Sequence, residues 1–103
     1  NTWVKLTATT SAGVVKPNYI IMMFDQPVTS TTALPPIKKQ VTTDANGLAY
    51  FDLNTMITST TPTTYYFEAF VSNGTGGYTW KSVSHYNVNL AKGTMATSSI
   101  IVN

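Results

Sequence analysis

The chain has 103 residues, enough for one domain with a single buried core. Only 10% of its residues are charged, and six lysines against four carboxylates give a net charge of +2. There is no arginine, so the clustered Lys and Arg of a nucleic-acid-binding surface are missing. Cysteine is absent, which excludes disulfides and thiolate metal sites, and no apolar run reaches the roughly 20 residues of a membrane span.

The shortage of charge, combined with many threonines, favours an all-β protein that is exported from the cell. Threonine is β-branched and suits the pleated, half-solvated surface of a sheet. The sequence starts at Asn1 rather than at a methionine, so we expect a processed protein or a fragment of a larger one. Any signal peptide or lipid anchor would then lie upstream, and the expected location is extracellular or on the cell surface.

Alternating apolar and polar residues, separated by Gly- and Pro-containing turns, predict seven strands. In the first strand, Val4, Leu6 and Ala8 alternate with more polar neighbours. The predicted strands are residues 3–9, 19–24, 37–43, 48–53, 65–71, 78–90 with a bend near Ser84, and 97–102. One helical turn is expected near residues 55–58, and no stretch keeps the period of an amphipathic helix.

The segment TTDANGLAYFDL, residues 42–53, combines a polar strand end, a tight turn and an aromatic strand. Asp44 suits the first position of a type I turn, where its carboxylate accepts backbone N–H groups. Gly47 suits the closing position, which requires a positive φ. These features predict a β-hairpin that joins the third and fourth strands.

Three glycines in the loop from Asn73 to Gly77 predict a mobile connection. Asn73-Gly74-Thr75 also matches an N-glycosylation acceptor, which leaves a modified loop as the alternative. Short strands at this spacing, joined by polar turns, are typical of a seven-stranded antiparallel Greek-key β-sandwich of the immunoglobulin-like type, formed by residues 1–103 as one domain.

Several segments, taken in order, resemble transthyretin-like bacterial domains. In residues 13–25 a glycine and a proline lead into an apolar strand, and TTDANGLAYFDL matches an Asp-x-x-Gly turn before an aromatic strand; YYFEAF, VNLAKG and SSIIVN follow. This group includes the carboxypeptidase regulatory-like domains and the Cna B-type repeats of surface adhesins. The resemblance covers nearly the whole chain and implies a prealbumin-like sandwich that serves as a stalk, spacer or adhesion module.

Two subfamilies of this group have chemistry of their own, and the chain departs from both. Transthyretin-related hydroxyisourate hydrolases carry several histidines, an arginine and a C-terminal Tyr-Arg-Gly-Ser, whereas this chain has one histidine and no arginine. Cna B-type domains often link a first-strand Lys to a last-strand Asn beside a buried acid, and Lys5, Asn103 and Glu68 lie on the matching strands. Because Lys5 and Glu68 alternate with apolar residues, both are predicted to face water, which argues against such a bond.

The polar residues do not predict an active site. His85 is the only imidazole, and Ser84, its neighbour on the strand, points to the opposite face. The carboxylates show neither a recognisable glycosidase pair nor the later ligands of a calcium loop; they are Asp25, Asp44, Asp52 and Glu68. We therefore predict a protein that is not an enzyme and needs no cofactor or metal, with His85 at the surface.

Aromatic residues give the best indication of a binding surface, because Trp and Tyr are favoured where proteins contact sugars and partners. Trp3 lies on the first strand, while Tyr78, Trp80 and Tyr86 share one face of the sixth strand if that strand stays regular. The alternative is that this face belongs to the core, because sandwiches bury such residues, and both interpretations remain open.

The run IIMMF, residues 20–24, is apolar on both faces, whereas an antiparallel sheet usually has one solvated side. Either a loop covers the outer face, or Met22 and its neighbours contact another domain or subunit. Taken together, the sequence predicts a structural or adhesion module of a secreted or cell-surface bacterial protein. Its expected partners are neighbouring domains or other surface proteins, and glycans if it is instead a carbohydrate-binding module.

Overall fold

The computed structural model describes residues 1–103. It contains eight strands and no helix: β1 (Trp3–Thr9), β2 (Ile20–Phe24), β3 (Lys39–Thr42), β4 (Leu48–Asp52), β5 (Thr63–Ser72), β6 (Tyr78–Trp80), β7 (Tyr86–Leu90) and β8 (Met95–Ile101). They form two packed sheets, which confirms the predicted all-β sandwich. The count rises from seven to eight because the predicted sixth strand is divided into β6 and β7 at the expected bend.

The smaller sheet has the strand order β4-β1-β8. β1 pairs antiparallel with β4 but parallel with β8, in a register that runs from Trp3 opposite Met95 to Thr9 opposite Ile101. This parallel pair differs from the expectation of a wholly antiparallel fold. The larger sheet has the order β3-β2-β5, and β6 and β7 both pair with the remaining edge of β5.

The main core lies between the sheets and follows from the alternation along each strand. Val4, Leu6 and Ala8 of β1 are fully buried, while the intervening residues of that strand are half-buried on the outside. Phe51 of the smaller sheet and Phe67 of the larger one meet edge to face, with ring centroids 5.1 Å apart. Each Å² of apolar surface that these side chains remove from water stabilises the fold by about 25 cal/mol. This burial is the main source of stability.

A second, smaller core lies on the outer face of the larger sheet. Met22, Phe24 and Phe70 are fully buried there, although they point away from the main core. The irregular segment 25–38, which we call the cover segment, places Val28 and Leu34 against them. The doubly apolar IIMMF run is therefore explained by a covering loop, the first of the two alternatives.

The turn at residues 44–47 has the predicted chemistry, but the predicted hairpin is wrong. Asp44 accepts the N–H of Gly47 on its carbonyl, and its carboxylate accepts the N–H groups of Asn46 and Leu48. β3, however, pairs with β2 and β4 pairs with β1, so this turn carries the chain from one sheet to the other. Turn residues indicate that the chain reverses, but not whether the flanking strands pair.

Other connections are held by single side chains or turns. Residues 54–56 form the expected turn, one residue earlier than predicted, and Ile57 N–H donates to the Leu53 carbonyl at 2.9 Å. In the loop predicted to be mobile, the Asn73 side-chain oxygen accepts bonds from Thr75 and Gly77. That loop joins β5 to β6 as a hairpin.

Candidate functional site

The only buried charged side chain is Glu68, on β5, with 4% of its surface exposed. Its position in the strand places it on the opposite face from Phe67, as the alternation predicted. That face is not solvent, however, because it holds the second core under the cover segment, and Glu68 lies in register with buried Met22. The prediction that Glu68 faces water is therefore wrong.

Glu68 is bound by Trp80, the last residue of β6, and by His85, which lies in the connection between β6 and β7. Trp80 donates its indole N–H to Oε1 at 3.0 Å. His85 places Nδ1 2.8 Å from Oε1 and 2.9 Å from Oε2, while more than half of its side chain remains exposed. A buried carboxylate is costly unless it is paired and hydrogen-bonded, and these contacts satisfy that requirement.

A long bulge brings Trp80 and His85 to the same carboxylate. Phe70 pairs with Trp80 and Phe67 pairs with Tyr86, so residues 81–85 lie opposite only two residues of β5. Ser82 accepts the N–H of Ala69 with its hydroxyl, in place of a strand carbonyl, and Lys81 N–H donates to the Ala69 carbonyl. The chain therefore loops outward between Ser82, which is bonded to Ala69, and Tyr86, which pairs with Phe67. This loop places His85 over Glu68.

A carboxylate that orients an imidazole is part of many catalytic sites, but the third member, a nucleophile, is not hydrogen-bonded to His85 here. The two serines that precede His85 in the sequence have other partners, since Ser82 accepts the N–H of Ala69 and Ser84 accepts the N–H of Ile101 at 2.8 Å. These contacts tie the bulge to β5 and to β8. The arrangement accounts for Glu68, Trp80 and His85 as a polar cluster that fixes the bulge.

The predicted aromatic face of the sixth strand is divided between the two sides of the sheet. Tyr78 and Trp80 pack on the second core, and Tyr78 meets Phe70 edge to face at 6.3 Å. Tyr86 lies on the inner side, with its ring 5.8 Å from that of Phe67. The expectation of one shared face is therefore wrong, because the bulge adds three residues, an odd number, and reverses the alternation.

The environment of Tyr86 shifts the pKa of its phenol. Burial of the phenol against the main core raises its pKa above the usual 10.0, because a phenolate would lose hydration there. The Tyr86 side chain therefore keeps its proton to higher pH than a fully hydrated tyrosine does. This behaviour belongs to a core residue rather than to a ligand contact.

Trp3 lies where a partner can reach it, on the outer face of the smaller sheet. Its ring is 6.2 Å from that of Tyr50, which is 45% exposed, and the Lys5 ammonium lies 4.6 Å from the Trp3 ring centroid. Met95, opposite Trp3 on β8, is 59% exposed. We call the surface formed by Trp3, Lys5, Tyr50 and Met95 the uncovered face, because Tyr50 and Met95 are exposed there, whereas the outer face of the larger sheet is buried under the cover segment.

Sequence reasoning found Trp3 but missed Tyr50, whose register opposite Lys5 depends on the β1–β4 pairing. It also proposed Met22 as a contact residue, and this is wrong because Met22 is fully buried under the cover segment. Lys5 and Glu68 lie on the outer faces of different sheets, so the sandwich separates Lys5 from the acid that an isopeptide bond between Lys5 and Asn103 would require beside it. The presence of Tyr66 and Phe70 on the same side of β5 was the signal that Glu68 is covered.

The remaining surface offers little further chemistry. One recess lies between the 56–61 segment and the sheet, and its lining has neither a charged group nor an imidazole. No three His, Asp or Glu side chains come together in a metal-binding arrangement. None of the chain forms a helix of the length and apolarity needed to cross a membrane.

Comparison with other proteins does not assign a family. No protein-family model matches the sequence, and no curated protein is significantly similar to it.

Proposed function

We propose that this chain is a structural or adhesion module of a secreted or cell-surface bacterial protein, without enzymatic activity, and that it acts as a spacer between neighbouring domains. The observation that carries the proposal is the parallel pairing of β1 with β8. Polypeptide that leads into β1 and polypeptide that follows β8 lie at opposite ends of this pair. Domains joined in this way follow one another in line.

Both ends of the pair are held by loops, which gives a spacer a defined direction. At the end where β1 begins, the Thr2 carbonyl accepts a hydrogen bond from the N–H of Leu53, and the Thr2 hydroxyl accepts one from the N–H of Gly93. At the end where β8 finishes, the N–H of Val102 donates to the Thr9 carbonyl, and the N–H of Asn103 donates to the Lys81 carbonyl. The peptide next to each strand therefore continues along the strand direction rather than folding back.

The sequence supports the bacterial surface setting. Its polarity comes largely from Thr, Ser and Asn rather than from charge, and its segments resemble transthyretin-like domains found in stalks and adhesins. Neighbouring domains or other surface proteins are then the expected partners.

A tandem of two copies joined by a short linker tests the spacer geometry in solution. Small-angle X-ray scattering is expected to show two domains end to end, with a maximum dimension well above the 38 Å longest extent of a single domain. A compact particle with the two copies side by side would contradict the proposal. A tandem made from a circular permutant, which begins and ends within the exposed loop at residues 73–77, is the matched control.

A second candidate function is carbohydrate binding, which the Trp3–Tyr50 pair on the uncovered face favours. Aromatic rings stack on the apolar faces of sugars, and the nearby Lys5 ammonium would donate hydrogen bonds to hydroxyl groups. The earlier candidates Tyr78 and Trp80 are less suited, because they pack on the second core.

A glycan array separates the two candidate functions. If carbohydrate binding is correct, the protein binds a defined glycan and Trp3→Ala abolishes the signal. Tyr78→Phe, which changes an aromatic residue on the other sheet and keeps the hydrogen bonds to Glu68, serves as control and leaves binding unchanged. Absence of glycan binding, or equal binding by Trp3→Ala, would leave the spacer function alone.

A further inference from the structure

We infer that this domain resists mechanical tension along the chain, and that the β1–β8 pair is the element that resists it. This inference rests on the proposed spacer function, since only a domain joined to others on both sides experiences such a force. It concerns a property that the spacer geometry alone does not require, because an in-line domain can be mechanically weak.

The direction of pulling relative to the ladder determines the strength of a strand pair. The two strands run parallel, with seven residue pairs from Trp3–Met95 to Thr9–Ile101. Tension pulls β1 from its N-terminal end and β8 from its C-terminal end, so the strands are pushed to slide past each other. Ladder hydrogen bonds lie across the strands, and sliding therefore strains all of them together.

The alternative geometry would be weak. If both forces acted at the same end of a strand pair, the bonds would break one at a time, and a single hydrogen bond contributes little net stability. In this fold that happens only when the chain is pulled at two points near the same end, such as Asn1 and the turn at Lys92, which lies just before β8.

Neighbouring contacts prevent the pair from peeling open at its ends. At the start, Trp3 N–H donates to the Thr94 carbonyl at 3.1 Å, which holds β1 to the turn before β8. At the C-terminal end of β8, the N–H of Val102 donates to the Thr9 carbonyl at 2.9 Å. Val102 also forms an antiparallel bridge with Ser82. The bulge that contains Ser82 is itself fixed to the larger sheet through Ala69.

The side chains add resistance to sliding. Val4 and Leu6 of β1 and Ile100 of β8 are completely buried in the main core. Any relative movement of one residue would reverse the alternation and expose these apolar groups to water, which is unfavourable for each buried side chain. Tension must therefore break the ladder and the packing in the same step.

Single-molecule pulling through introduced cysteines tests this inference, and the absence of native cysteine makes the attachment unique. Asn1→Cys with Asn103→Cys loads the pair in shear, while Asn1→Cys with Lys92→Cys opens it from one end. All three positions are exposed and lie outside the strands. We expect the peak unfolding force of the first variant to be several-fold higher than that of the second.

A further pair, Ser11→Cys with Asn103→Cys, opens the ladder from the other end and is expected to unfold at low force as well. Equal forces for the shear pair and both opening pairs, with unchanged circular dichroism, would overturn the inference. The spacer proposal would survive that result, because it is tested separately by the tandem's length. A compact tandem whose single domain still shows the force difference would instead contradict the spacer function.

Discussion

Glu68 shows how much a single residue depends on what covers its face. Alternation along β5 assigned it to the side opposite Phe67, and that assignment is confirmed. Whether that face is exposed to solvent depends on the cover segment. The position of the cover segment follows from its packing on Met22 and Phe70, which are distant in the sequence, and not from a local pattern. Local periodicity gives the face of a residue, whereas burial requires knowledge of the other layers.

At this scale, removing one donor to Glu68 is expected to destabilise the fold. Trp80→Phe keeps the ring on the second core but deletes the indole N–H, leaving the buried carboxylate short of a partner. The expected loss is about 1–3 kcal/mol in the free energy of unfolding, measured by urea denaturation. Tyr78→Phe keeps every hydrogen bond to Glu68 and serves as control.

A double-mutant cycle shows whether the cost arises at the carboxylate. In a Glu68→Gln background the side chain carries no charge, so Trp80→Phe is expected to cost less than it does with Glu68. Equal costs in both backgrounds would mean that Trp80 acts through packing alone.

Tyr86 gives a prediction about alkaline pH. Its pKa is raised above 10.0 in the folded protein by burial, so the unfolded chain loses this proton first as the pH rises. Stability from this group is complete below pH 10.0 and falls as the pH rises from there through the raised pKa. Urea midpoints of the wild type and of Tyr86→Phe are the measurement, and the alkaline decrease should be smaller in the variant. An identical decrease would show that other groups cause it.

Among the elements, the turn at residues 44–47 separates what local sequence can and cannot specify. Asp44 and Gly47 were correctly predicted from their chemistry, because a type I turn needs an acceptor and a positive φ at those places. The partners of the flanking strands were not, since pairing with β2 and β1 depends on residues far away in the sequence. The bend between β6 and β7 was expected. The number of residues in the bulge, which places Trp80 and Tyr86 on opposite faces of the sheet, was not.

A comparison of two glycines tests the role of this turn. Gly47 has φ 74°, and a Cβ there would lie 2.8 Å from the Ala8 carbonyl oxygen, whereas Gly74 has φ 81° with open space around it. Gly74→Ala is expected to lower the free energy of unfolding by about 1–2 kcal/mol, which is the cost of placing a residue with a Cβ at a positive φ. Gly47→Ala adds the collision with β1, so its loss in thermal denaturation should be clearly larger. Equal losses would show that β1 yields without cost.

For the whole molecule, the two outer faces and the two ends suggest different roles. The larger sheet is closed by the cover segment, while the uncovered face presents Trp3, Tyr50 and Met95 to solvent. The sandwich class was predictable from alternation and turn residues. The parallel pairing of β1 with β8 was not, because two strands at the extremes of the sequence carry no local signal of their relative direction.

The relative direction of β1 and β8 is the basis of the proposed function, and a distance measurement tests it directly. Spin labels at Asn1→Cys and Asn103→Cys span the seven-residue ladder, which corresponds to about 20 Å or more at about 3.3 Å per residue. Labels at Asn1→Cys and Lys92→Cys lie near the same end. Electron–electron double resonance should therefore give a clearly longer distance for the first pair. Similar distances for both pairs, or a shorter one for the first, would contradict the parallel arrangement and with it the in-line spacer.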